Sequence, residues 1–276
     1  MPWHAHLQLD YTRTEAKTLA RHQHDGPLRI LQSLYPEGDA VCHNVLVHPP
    51  GGLVGGDTLD IKVSASGQSH GLITTPGATR FYKSDGELAL QRTHIQLHDQ
   101  SRVEWVPMET ICYNRCLAHN ELRVDLSADA EFIGWDVTAF GLPHAALPFE
   151  QGHLHQHIEA PGVWLERGML DAQDTRLMKG PIGLGGNCCM ASIFFITGKS
   201  LSRARRQQAL DTARALIDAH PVRTTAGATS PNDRVVVVRA LTPVVEPAMQ
   251  LLKSVWAAWR AELWRVSAVS PRIWTT

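Results

Sequence analysis

The ten residues His48-Pro49-Pro50-Gly51-Gly52-Leu53-Val54-Gly55-Gly56-Asp57 constrain the backbone more tightly than any other stretch of this chain. Proline fixes φ and glycine admits positive φ, so two prolines and four glycines in one run commit the chain to a path closed to most residues. The run follows the apolar Val45-Leu46-Val47 and reads as a sharp loop whose backbone another segment or a ligand can approach closely. Gly51, Gly56, Asp57 and Thr58 overlay the phosphate-binding pattern G-x-x-x-x-G-K-[ST] at every place except the lysine. Asp57 puts a negative charge where phosphates need a positive one, which excludes a nucleotide loop. A cation-facing or partner-facing loop remains.

The segments around this loop are short and punctuated. Leu59-Asp60-Ile61-Lys62-Val63 alternates at period two, as a half-buried strand should. Residues 28–31, 42–47, 70–75, 88–97, 103–106, 122–126, 131–140, 154–158, 163–165 and 191–197 give further strand candidates, separated by turn residues such as Pro76-Gly77. Strands at this spacing point to a mainly β fold, a sandwich, barrel or coiled sheet, rather than to βαβ units. After Ser202 the period changes. Leu210, Ala213, Leu216 and Ile217 make one helical face, and Ala248, Leu251, Leu252, Val255, Trp259 and Leu263 make a second. Two amphipathic α-helices are therefore predicted in the C-terminal quarter, flanking a β-branched strand at 235–241. Trp256, Trp259 and Trp264 cannot share one narrow stripe. Core packing is the expected role, with some of these rings open to a partner. With no linker or repeat, the chain reads as one domain over residues 1–276.

Charge narrows the function. Lys and Arg number 26 against 27 Asp and Glu, so the basic excess that nucleic acid favours is missing. No apolar run approaches the roughly 20 residues that cross a bilayer. Met1-Pro2-Trp3-His4-Ala5-His6 lacks the basic start and apolar core of a signal peptide. Five scattered cysteines read as reduced thiols. The expectation is a cytoplasmic protein that binds neither nucleic acid nor membrane.

Fifteen histidines make metal contact worth testing. His153, His155 and His157 alternate, so on a strand they share a face about 7 Å apart. Neighbouring pairs suit a borderline cation, although three along one straight strand do not close on one ion; the competing reading is a solvated strand face. Cys112, Cys116 and His119 lack a second pair to complete a tetrahedral site, and Cys188-Cys189 and Cys42-His43 read as small buried hydrophobes. Neither G-x-S-x-G nor H-E-x-x-H occurs. Unusual acids are Asp57 after the glycines, Asp136 inside an apolar run, and Glu166 and Asp171 around Gly168. Such carboxylates either meet a backbone amide or arginine, or line an internal hydrophilic path.

Four strings occur in order and carry a resemblance: Gly52-Leu53-Val54-Gly55-Gly56-Asp57; Thr74-Thr75-Pro76-Gly77-Ala78-Thr79-Arg80-Phe81-Tyr82-Lys83-Ser84; Glu104-Trp105-Val106-Pro107-Met108-Glu109-Thr110-Ile111; and Pro271-Arg272-Ile273-Trp274-Thr275-Thr276. The chain resembles the urease accessory protein family UreD, called UreH in some bacteria, over roughly residues 28–276. The resemblance implies a coiled, β-helix-like sheet arrangement with two late helices. It implies a non-enzymatic scaffold or metallochaperone that binds apo-urease and works with UreF and the GTPase UreG in nickel insertion. It also implies transient Ni2+ in a polar internal channel and no tightly bound cofactor. Carried over by residue, Asp57, Thr79 and Asp136 mark the candidate nickel path, with Glu166 or Asp171 as a further acid. Met108 stands where the family often has glutamine, and Gly141-Leu142 where it often has Gly-Arg, so a partner contact made there must differ. The alternatives are a metal-dependent hydrolase using His153, His155 and His157, and an assembly adaptor that carries no nickel.

Overall fold

The structure is a computed structural model that describes residues 2–275. Met1 of the N-terminal string and Thr276 of the fourth lie outside the described residues. The chain opens with an antiparallel hairpin, β1 (His4–Thr14) and β2 (Lys17–Asp25), then β3 (Arg29–Leu34). Three coils follow: β4 (Val41–Val47), β5 (Gly52–Leu53) and β6 (Thr58–Ala65); β7 (His70–Thr74), β8 (Thr79–Phe81) and β9 (Ala89–Leu97); β10 (Arg102–Trp105), β11 (Thr110–Cys112) and β12 (Cys116–Leu126). A fourth coil runs through the long β13 (Glu131–Phe140) to β14 (Gly152–Ala160).

Corresponding strands of successive coils stack in parallel register. β6, β9, β12 and β14 form one wall and β4, β7, β10 and β13 another. Short β5, β8, β11 and the end of β13 make a third side. The result is a β-solenoid-like stack. Its first sheet has the order β15-β14-β12-β9-β6-β1-β2, with β15 (Trp164–Asp171) antiparallel at one edge. After α1 (Thr175–Lys179), β16 (Cys189–Thr197) extends the second sheet. Then come α2 (Arg203–Asp218), β17 (Ala226–Asn232), β18 (Val235–Thr242) and α3 (Val245–Trp259), which runs on into a π-helical turn, Arg260–Trp264.

Period two decides which residues enter the coils. Leu59, Ile61 and Val63 are buried inside the first sheet while Asp60 and Lys62 point out. The inner strands of the second sheet, such as β13, β16 and β18, are covered on both faces and read as apolar runs. On β13, Phe132 and Phe140 join the core inside the coils, whereas Ile133, Trp135 and Val137 join the core beneath α2 and α3. The two late helices stand where the period change predicts. Ser202 caps α2 by accepting from the Arg205 N–H at 3.2 Å.

The expected core-packing role holds for all three late tryptophans. Trp256, Trp259 and Trp264 are all buried, at 1%, 0% and 4% exposure. The π-helical turn advances the backbone so that Trp264 also reaches the core, and each indole N–H finds an acceptor: Glu104, the Ala209 carbonyl and Glu131. None is left for a partner.

Candidate functional site: a polar column inside the solenoid

Inside the first sheet one inward-facing position is polar in three consecutive coils. Parallel register aligns Gln91 on β9, Asn120 on β12 and Gln156 on β14, with Leu59 before them and Gly168 of β15 after. Neighbouring strands are about 4.8 Å apart, so from Gln91 to Gly168 the column spans about 14 Å. From the opposite sheet, Asp136 of β13 faces it. Gln91 Nε2 donates to Asn120 Oδ1 at 3.3 Å, and Asn120 Nδ2 donates to Asp136 Oδ2 at 3.1 Å. Gln156 Nε2 and Thr138 Oγ1 both donate to Asp136 Oδ1, at 2.6 and 2.9 Å.

Burial disfavours the charged carboxylate, and the Asp136 carboxyl is pushed up to about 6. The charge of Glu166 adds to this rise, while the hydrogen bonds from Thr138, Gln156 and Asn120 oppose it. Asp136 therefore exchanges its proton near neutral pH, held by the amide N–H groups of Asn120 and Gln156 and the Thr138 hydroxyl.

One end of the column lies against a cavity and the other at the exposed edge strand β15. Gln91 lines a cavity of 230 Å³ together with His48, Gly51, Thr79, Arg80, Trp105 and Pro107. Burial lowers the His48 pKa there, and the Asp57 charge pulls it the other way. At the other end a Cβ added to Gly168 would meet open space. Glu166 beside it accepts from Arg239 Nη2 at 2.5 Å, and both side chains are partly exposed.

The sequence-predicted residues separate into three groups. Asp136 belongs to the interior, Thr79 lines the cavity at one end of the column and Glu166 lies at the edge strand at the other. Asp57 is buried, and its carboxylate is taken by two backbone amides: it accepts from Trp3 N–H at 2.7 Å and Val54 N–H at 2.9 Å. It braces the glycine loop. The loop is tight because the second coil lies against it. A Cβ on Gly52 would stand 2.3 Å from the Tyr82 ring, and one on Gly55 2.5 Å from Ser84 Oγ. Asp171 lies on the outer face, paired with His153 and accepting from the Gln173 N–H. It is not an internal acid, because an odd number of residues from Glu166 reverses its face.

His153, His155 and His157 also lie on the outer face, where alternation puts them. Among the described residues, no three His, Cys, Asp or Glu side chains are grouped so as to hold a metal ion. The Cys112, Cys116 and His119 set does not converge either, since Cys116 is wholly buried and His119 projects outward on the same strand.

Sequence reasoning missed Gln91, Asn120 and Gln156. A signal for the last two was present: Asn120 interrupts the apolar period of Ala118 and Leu122, and Gln156 that of Leu154 and Ile158. The second motif string is joined to the other three, beginning with the Tyr82 N–H, which donates to the Leu53 carbonyl at 2.9 Å. Met108 N–H donates to Thr75 Oγ1 at 2.9 Å, and Trp274 Nε1 donates to Thr74 Oγ1 at 2.8 Å. Met108 and Leu142, whose side chains depart from the family pattern, line with Gly141 a separate apolar groove of 540 Å³.

The chain is thus a β-solenoid-like stack of coils with a hydrogen-bonded polar column in its interior. The family model described as UreD urease accessory protein matches residues 4–275. A "Urease accessory protein UreD" from Variovorax paradoxus (strain S110) is 64% identical over 276 residues and all of both chains, and one from Polaromonas sp. is 64% identical over 275. A relative of the same description from Leptothrix cholodnii is 47% identical, again over the full length of both. The chain belongs to the UreD family. Membership places it among proteins accessory to urease and its maturation, not with urease itself.

Proposed function

We propose that this chain is a cytoplasmic, non-enzymatic scaffold that binds apo-urease and, with UreF and the GTPase UreG, supports nickel insertion by passing Ni2+ through its polar interior. Ni2+ is transient cargo, and no cofactor is held tightly. The observation that carries this reading is Asp136, a titrating carboxyl held by Asn120, Thr138 and Gln156 between a cavity and a partly exposed acid. Oxygen donors of this kind are individually weak ligands for nickel. An ion moves along them, whereas a closed Cys/His cage would trap it. A carboxyl with a pKa of about 6 gives up its proton to a cation at little cost near neutral pH.

The test is co-expression of a cognate urease operon with and without this chain, reading nickel per active site. The reading requires nickel to fall when the chain is deleted and to return when it is supplied. An unchanged nickel content on deletion contradicts it. The hydrolase alternative requires intrinsic turnover that His155→Ala abolishes.

A further inference from the structure

The outer face of the first sheet carries a patch of imidazoles that the interior route does not use. His153 and His155 are two residues apart on β14 and project to the same side, with ring centroids 4.9 Å apart and planes at 88°. His119 of β12 is the cross-strand partner of His155, at 5.9 Å between centroids. On the other flank, Met169 of β15 is the partner of His155 and half exposed, while Asp171 is the partner of His153. His157, the third alternate histidine, belongs to a different set. It lies 3.3 Å from Glu159 and is registered between Glu121 and Arg167, in a ladder of ion pairs.

We propose that His119, His153 and His155 form an exterior site for a divalent transition-metal ion, chelated by two imidazoles at a time with His155 common to both pairs. Two histidines spaced i and i+2 on a strand, or side by side on adjacent strands, bring ring nitrogens close enough to share one ion after small rotamer changes. The remaining positions belong to water, in keeping with the absence of a three-donor His, Cys, Asp or Glu group among the described residues. Imidazole suits nickel, zinc and copper and has no use for magnesium, so the donor set selects the class of ion. The thioether of Met169 adds a soft neighbour on the open side.

This site is independent of the interior route and is tested on surface variants alone. The full chain is titrated calorimetrically with nickel chloride alone at pH 7.5, as wild type, His155→Ala and His157→Ala. The expected result is a binding event that His155→Ala loses and that His157→Ala retains. His119→Ala and His153→Ala should each weaken it without removing it, and excess magnesium chloride should leave it in place. An isotherm unchanged by His155→Ala, equal loss with His157→Ala, or no nickel binding by the wild type would overturn the proposal. Because these side chains are on the surface, an unchanged far-UV dichroism spectrum should accompany each variant.

Discussion

Trp274 donates its indole N–H to Thr74 Oγ1 at 2.8 Å, across 200 positions of sequence. Its ring also packs against Trp135 and Trp256, with centroids 5.2 and 5.1 Å away. The fourth motif string thus closes over the second, and the C-terminal turn fastens the coil stack to the helical layer. Trp274→Phe keeps the ring contacts and loses the hydrogen bond, at about 1 kcal/mol. Trp274→Ala also opens a cavity and should cost about 3 kcal/mol. Urea unfolding of the two variants measures the difference, and equal destabilisation would contradict this division.

The glycine loop gives a steric prediction. Gly52→Ala drives a methyl group into Tyr82 and to within 2.9 Å of the Arg80 carbonyl oxygen. The coil spacing is fixed by backbone hydrogen bonds, so the expected loss is about 2 kcal/mol. Tyr82→Ala in the same chain should recover part of it relative to Tyr82→Ala alone, because the ring is the nearer obstacle. A double-mutant cycle in thermal unfolding reads this coupling; simple additivity would argue against it.

Arg260 is fully buried and joins two buried acids. Its Nη2 donates to Glu37 at 2.6 Å, and its Nε lies 3.5 Å from Glu104. Burial opposes ionisation of both carboxylates. At Glu104 the hydrogen bond and charge of His70, the Arg260 charge and the Trp256 N–H outweigh it; at Glu37 His43 and Arg260 do so. Both folded pKa values are therefore below the ordinary glutamate value. Their contribution to stability is present above about pH 4.5, the unfolded value, and is lost as pH falls through the folded ones. Arg260→Met removes the cation that the two acids share, leaving Glu37 with His43 and Glu104 with His70 and Trp256, and at pH 7.5 it should cost about 3 kcal/mol or more. That cost should shrink in acid once the acids are protonated. A cost that is the same at pH 7.5 and pH 4 would refute the assignment.

Asp136 responds to pH with the opposite sign. Its folded pKa of about 6 exceeds the ordinary 3.8, so between those values the native state binds more protons than the unfolded one. Stability then falls as pH rises through this window. Relative to Asp136→Asn, the wild type should gain roughly 1 kcal/mol between pH 7.5 and pH 5. Guanidinium unfolding at the two pH values checks the sign. A wild type that loses stability relative to the variant on acidification would exclude the raised pKa.

Much of the architecture is written in local pattern. Leu59, Ile61 and Val63 announce a one-sided strand, and Leu210, Ala213 and Ile217 a helix, because period follows directly from backbone geometry. Stacking order is not local, since which strand lies beside which depends on contacts distant in sequence. For that reason Gln91, Asn120 and Gln156 were not recognisable as a column until register aligned them, and His119 could not be joined to His155. Asp136 stands out in sequence as an acid within an apolar run. Asp57 stands out equally, yet its carboxylate serves two backbone amides, a distinction set by loop geometry that composition does not encode.

Passage of nickel past Asp136, as proposed, is tested most directly by nickel per urease active site after co-expression with Asp136→Ala or Gln156→Leu, alongside recovery of the accessory complex by co-purification. Nickel is expected to fall sharply with both variants while the complex is recovered in wild-type yield. Wild-type nickel content with both variants, in complexes that still assemble, would contradict it and leave the chain as an adaptor that carries no metal.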